Sequence, residues 1–278
     1  MPTAPKLATA LATFAASECR RAIRSLGDSK QPHKGIHEAR KALRRLKSLL
    51  RLGATVFDDA LPPLEIAIDR LAVSLSSVRD AHVAVLTARL LAGADPSDGW
   101  KHAIDALELR SEGRLTAALI KDPRFLERRK RIRELAHAIA ALPWRKLSRH
   151  AVEHALANSE KRVAKARKRM RTSATTANLH RWRRRARRLR MQLELIRKAR
   201  KAAGMTASHH AERDKALART MSALSDTIGS KQDLRALRKT LRTIVDPDTM
   251  PALIVEITHE LKKHRTPTIE SPPQHQGE

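Results

Sequence analysis

Tyrosine is absent from this 278-residue chain, and three Phe and three Trp bring the aromatic share to only 2 %. A β-sandwich or barrel draws on aromatic and β-branched residues and on frequent Gly turns. With Gly also scarce, at 9, that class is excluded. The single cysteine, Cys19, excludes a disulfide framework, a four-Cys zinc site and a Cys-x-x-Cys redox pair. Its simplest role is that of a small core residue. No apolar run approaches the roughly 18 residues of a membrane span. Residues 7–16 (LATALATFAA) imitate the apolar stretch of a signal peptide, but Arg20, Arg21 and Arg24 follow at helical spacing. A first amphipathic helix is the better reading, so a cytoplasmic protein with no membrane partner is expected. Acidic residues are also short: 29 Asp and Glu stand against 57 Lys and Arg, a formal charge of +28. Such self-repulsion points to a polyanionic partner, with nucleic acid, an anionic membrane and inorganic polyphosphate as the candidates.

What remains is Ala, Leu, Arg and Lys, the composition of an all-α protein. Segments free of Pro and Gly predict helices near 5–27, 34–53, 59–93, 99–121, 124–142, 147–171, 175–203, 208–228, 231–244 and 249–264, with turn chemistry between them. The polar, Pro-rich tail 265–278 is expected to be disordered. One long internal repeat stands out. Residues 36–50 (IHEARKALRRLKSLL) align with 179–193 (LHRWRRRARRLRMQL) at an offset of 143, and Leu75 to Asp80 (LSSVRD) with Ile228 to Asp233 (IGSKQD) at an offset of 153. A duplicated helical half, 5–145 and then 146–264, is the simplest account.

The repeated helices carry the chemistry. His37, Arg40, Arg44, Lys47 and Arg51 are spaced to share one helix face, beside an apolar stripe of Ile36, Ala39, Leu43, Leu46 and Leu50. In the second copy His180, Arg183, Arg187 and Arg190 repeat the basic stripe, and Leu179, Trp182, Ala186, Leu189 and Leu193 the apolar one. A solvated helix face usually mixes Glu with Lys to gain i,i+4 pairs. Here seven Arg crowd between Arg181 and Arg190, and no carboxylate enters the stripes before Glu194. Anions would neutralise that arrangement, and the Arg fork suits phosphate oxygens bidentately. Lys161, Lys165 and Lys168 with Arg162 and Arg169, the run Arg128 to Arg133, and Arg20, Arg21 and Arg24 add to the field.

This pair of His-x-x-Arg-x-x-x-(Arg/Lys)-Arg-Leu-(Arg/Lys) helices, with a downstream Leu-x-x-x-Arg-Asp, resembles the conserved-histidine α-helical domain (CHAD) family over roughly 6–264. The resemblance implies two pseudo-symmetric four-helix bundles around a basic central cleft or pore, binding of inorganic polyphosphate, and association with polyphosphate granules in bacteria. It carries over His37, Arg40, Arg44, Arg45, Lys47 and Arg51, and His180, Arg183, Arg187, Arg188 and Arg190. Lys47 stands where the family usually has Arg, Met191 where an aromatic is common, and Lys231-Gln232-Asp233 lacks the Arg of Arg79-Asp80. No Glu-x-Glu-x-Lys strand of an accessory triphosphate-tunnel domain occurs, so a stand-alone member is expected. Arg20, Arg24, Lys161, Lys165 and Lys168 complete the candidate phosphate ligands.

Other patterns carry less. His150, Glu153 and His154 spell a zinc-peptidase motif without a third ligand, on a strongly cationic helix. His259 and His264 are five residues apart, so they point in different directions. Asp80 and Asp233 could hold a metal bridging to phosphate, but a buried salt bridge to a nearby Arg is favoured. His37 and His180 are either structural or donors to phosphate oxygen. No metal site, cofactor or catalytic residue is assigned. An architectural nucleic-acid-binding protein explains the charge equally, but lacks Tyr stacking platforms and any helix-turn-helix or zinc-finger signature. An enzyme acting on polyphosphate would need a carboxylate cluster for Mg²⁺ that the sequence does not display.

Overall fold

Apolar residues recur every three or four positions in Lys6–Leu26, and that segment is helix α1, burying Leu7, Leu11, Ala15, Cys19, Ala22 and Leu26 along one side. The structure is a computed structural model that describes residues 6–205, 210–246, 248 and 250–263, and no strand occurs among them. The predicted tail 265–278 lies outside the described residues. After α1 come α2 (Pro32–Leu50), a short α3 (Ala54–Phe57), α4 (Leu61–Ser74), α5 (Ser76–Ala92), α6 (Asp98–Lys121) and α7 (Leu126–Ala140). The chain continues through α8 (Arg149–Thr172), α9 (Thr176–Ala202), α10 (Ala211–Leu241) and α11 (Met250–Lys263). Pro32 opens α2, where its missing N–H is harmless; Ser148 and Thr175 cap α8 and α9 by accepting from Ala151 and Asn178 N–H.

Two predicted elements differ. The single helix expected over 59–93 breaks at Leu75 (φ −102°, ψ 1°) into α4 and α5. Conversely, the break expected at Gly229-Ser230 is absent, and α10 runs through it unbroken for 31 residues. Gly229 serves close approach, not a turn: a Cβ there would collide with the guanidinium of Arg183 on α9.

The apolar stripes predicted on α2 and α9 are the buried ones. One apolar cluster joins α1, α2, α4 and α7 to the start of α8 and the end of α9. A second joins α8, α9 and α10. A third joins α5 and α6 to the end of α10 and to α11, so hydrophobic contacts cross position 145 in both directions. Two packings fix the frame of the site: α2 against α9, and α5 against α10. At the first, Gln192 is fully buried and donates from Nε2 to the Ser48 carbonyl at 3.1 Å, while Ser48 Oγ lies 3.7 Å from Met191 Sδ.

Candidate functional site

The α2–α9 and α5–α10 contacts leave a cleft of about 540 Å³ between them. Part of the predicted basic stripes turns into it: His37, Arg40 and Arg44 from α2, and His180, Arg183, Arg187 and Arg190 from α9. A larger cavity of about 650 Å³ lies between the end of α9 and the start of α10, where Arg197, Arg200 and Lys201 face Glu194 and Asp214 beside Ile196 and Met205. It contains none of the paired basic-stripe residues and carries acids among its cations, so the repeated stripe, not size, marks the candidate site.

Some of the cations are tied down. Arg40 Nη1 donates to the Ala72 carbonyl and to Ser76 Oγ, the latter at 2.8 Å. Arg183 Nε donates to the Ser225 carbonyl at 3.1 Å, and its Nη1 to Gln232 Oε1 at 2.6 Å. Arg44 and Arg187 have no such partner among the described residues, and the Arg44 Nε is buried without a hydrogen bond. Burial, and then the repulsion of Arg187, Arg40, Arg183 and Arg79, push the Arg44 guanidinium down to about 9. Burial and the guanidinia of Arg183, Arg190, Arg40 and Arg184 push Arg187 down to about 10. The largest influences on both are burial and other guanidinia. His37 and His180 sit below the usual imidazole value, first through burial, then through Arg79 for His37 and Arg184 for His180.

Acids collect at one side of the same cleft, which Asp80, Asp226 and Asp233 line. The salt bridge expected for Asp80 and Asp233 does not form: Asp80 is exposed, and neither carboxylate has a cation within ion-pair distance among the described residues. Arg40 and Arg183 point instead at the Ala72 and Ser225 carbonyls, Ser76 Oγ and Gln232 Oε1. Burial raises the Asp233 carboxyl, with Arg183 and Arg79 acting against the shift. Among the described residues, no group of three or more His, Cys, Asp and Glu is placed to hold a metal ion. Glu153 of the zinc-peptidase-like motif is engaged by Arg149 at 2.8 Å and Arg200 at 3.1 Å.

Nine candidates lie outside the cleft lining. Arg45 faces Glu18 of α1 at 3.9 Å. Lys47 pairs with Asp69 of α4 at 2.5 Å, and Arg51 grips the Glu65 carboxylate with two nitrogens. Arg188 is half-buried near Arg51 and Glu65. Arg20, Arg24, Lys161, Lys165 and Lys168 are exposed on α1 and α8. In their place the cleft recruits Lys41, Arg79, Arg184, Met191 and Gln232. A signal for the first and third was in the repeat, since Lys41 and Arg184 correspond at the same offset of 143 as His37 and His180.

No helix among the described residues is long and apolar enough to cross a membrane. No curated protein is significantly similar to the chain. Solved structures are: a crystal structure of the CHAD domain from the plant Ricinus communis matches with a TM-score of 0.65 at 19 % identity, covering 95 % of this chain and 87 % of that one. PptA from Streptomyces chartreusis matches with a TM-score of 0.58 at 16 % identity, covering 92 % of this chain and 95 % of that one. At such identities the likeness speaks for the fold. The sequence itself matches the CHAD domain over residues 8–242, which includes both histidine helices and everything that lines the cleft; the chain belongs to the CHAD family.

Proposed function

We propose that the cleft binds inorganic polyphosphate, through Arg44 and Arg187 at its centre with His37, Arg40, His180, Arg183 and Arg190 around them. The observation that carries this reading is the state of Arg44 and Arg187: half-buried, mutually repelling, and without an ion-pair partner or hydrogen-bond acceptor among the described residues. An anion between α2 and α9 offsets that repulsion, and a linear phosphate chain supplies many oxygens for guanidinium forks. The walls also focus a positive potential that speeds capture of such a chain.

In the same reading the copies 5–145 and 146–264 form a pseudo-symmetric pair around the cleft. Two contacts support it. Ser48 and Met191, counterparts at an offset of 143, touch each other. Arg40 and Arg183 each donate to a backbone carbonyl, Ala72 and Ser225, that correspond at the offset of 153. The protein is read as a cytoplasmic, non-enzymatic binder that associates with polyphosphate granules, and its weaker partner is nucleic acid.

The test is a competition titration of long-chain polyphosphate against duplex DNA at fixed salt, on wild type and two double variants. Arg44→Ala/Arg187→Ala is expected to weaken polyphosphate binding by more than tenfold. Arg110→Ala/Arg114→Ala, on the exposed side of α6, makes the same change in net charge and is expected to cost little. Preference for DNA, or equal losses in the two variants, overturns the reading. Polyphosphate incubated with the protein and Mg²⁺ should keep its chain length; shortening or extension would make it an enzyme.

A further inference from the structure

Arg184 belongs to two neighbourhoods. On one side it lines the cleft and presses on His180 and Arg187. On the other it acts on Arg185, together with Arg162, Arg169 and Arg181. The helices α8 and α9 run side by side here, and Arg185 Nη1 donates to the Arg162 carbonyl at 2.9 Å. Arg162, Arg169 and Arg184 are exposed. No carboxylate is among the groups acting on Arg185, and none of the five arginines forms an ion pair among the described residues. The acid closest in sequence, Glu160, is taken by Arg213 at 2.6 Å. Arg162 and Arg169 are two helical turns apart, about 10 Å along α8, so the group is a ridge and not a pocket.

Like charges packed this closely repel, and among the described residues no ion pair offsets them. The ridge is continuous with the cleft through Arg184. We propose that it is a track for the part of a long linear polyphosphate that extends out of the cleft, so that the protein discriminates long chains from short ones. This rests on the polyphosphate reading of the cleft and adds the substrate's length to it. A flexible chain charged at every phosphate can pass from cleft to ridge at Arg184. Duplex DNA, with a persistence length of about 50 nm, resists such a bend.

The experiment compares tripolyphosphate with long-chain polyphosphate on wild type, Arg162→Glu/Arg169→Glu and the charge-matched control Arg110→Glu/Arg114→Glu. All four positions are exposed. Wild type should bind the long chain much more tightly than its larger number of phosphates alone would give, as judged against the control. The ridge variant should lose about tenfold or more of long-chain affinity, with a salt slope shallower by more than one unit at about 0.7 per lost contact. Its tripolyphosphate affinity should match that of the control. Equal long-chain losses in ridge variant and control overturn the track, as does a ridge variant that loses duplex DNA binding and keeps the long chain. A protein on which neither phosphate binds, or on which Arg44→Ala/Arg187→Ala has no effect, overturns the cleft reading instead.

Discussion

His37 and His180 show how the environment sets the working range of a single side chain. Burial and neighbouring guanidinia hold both below the ordinary value of 6.5 in the free protein. The unfolded chain therefore binds more protons than the folded one just below pH 6.5, and the free protein should lose stability as pH falls through that range. A bound polyanion favours imidazolium and raises both values, so binding takes up protons. Affinity should accordingly rise as pH falls below neutrality, and flatten once the free histidines are protonated too. Calorimetry in two buffers of different ionisation enthalpy, on wild type and His37→Gln/His180→Gln, measures that uptake; a double variant with undiminished uptake would make both histidines structural. Gly229 is a second case. Gly229→Ala pushes a methyl into the Arg183 guanidinium, which would have to leave the Ser225 carbonyl and Gln232 Oε1, so the variant should lose stability by the cost of those two bonds, offset in part by the better helix propensity of Ala. Urea unfolding reads the sign directly.

At the level of one helix, the basic stripe of α2 divides by position. Its first half, His37 to Arg44, faces the cleft; its second half, Lys47 and Arg51, meets the carboxylates of α4 at Asp69 and Glu65. Glu65 is only 9 % exposed, and Arg51 supplies two of its hydrogen-bond donors. Arg51→Ala should cost about 2 kcal/mol by leaving that carboxylate without its donors, while polyphosphate affinity stays near wild type. An affinity loss as large as that of Arg44→Ala/Arg187→Ala would place Arg51 in the binding machinery after all. The stripe was legible in the sequence because its period is that of the helix. The division was not, because Glu65 and Asp69 lie on another helix and only packing brings them across.

Across the whole molecule, the arginine cluster sets stability against binding. Arg44→Met/Arg187→Met removes two repelling charges and keeps apolar bulk, so the free variant should melt at a higher temperature than wild type at low salt. Polyphosphate should raise the wild-type midpoint by mass action, about 2.7 kcal/mol at a hundred times Kd, and should hardly move the variant. Thermal scans with and without polyphosphate check both. A wild type that is unmoved by saturating ligand would remove the cleft from consideration.

Composition and period by themselves determined the all-α class, the buried stripes of Ile36 to Leu50 and Leu179 to Leu193, and the internal repeat, since each depends on residues close together along the chain. The two histidine helices, and through them the family, were legible for the same reason. Tertiary structure decided the rest. It turned Gly229 from an expected break into a docking point for Arg183, and it broke the helix at Leu75 where no Pro or Gly announces a break. It also drew Arg79, Lys41 and Arg184 into the cleft and sent Arg45, Lys47 and Arg51 to acids on α1 and α4. A charged side chain shows its helix face in the sequence, but its partner is set by which helix packs beside it, and that depends on contacts between residues far apart in the chain.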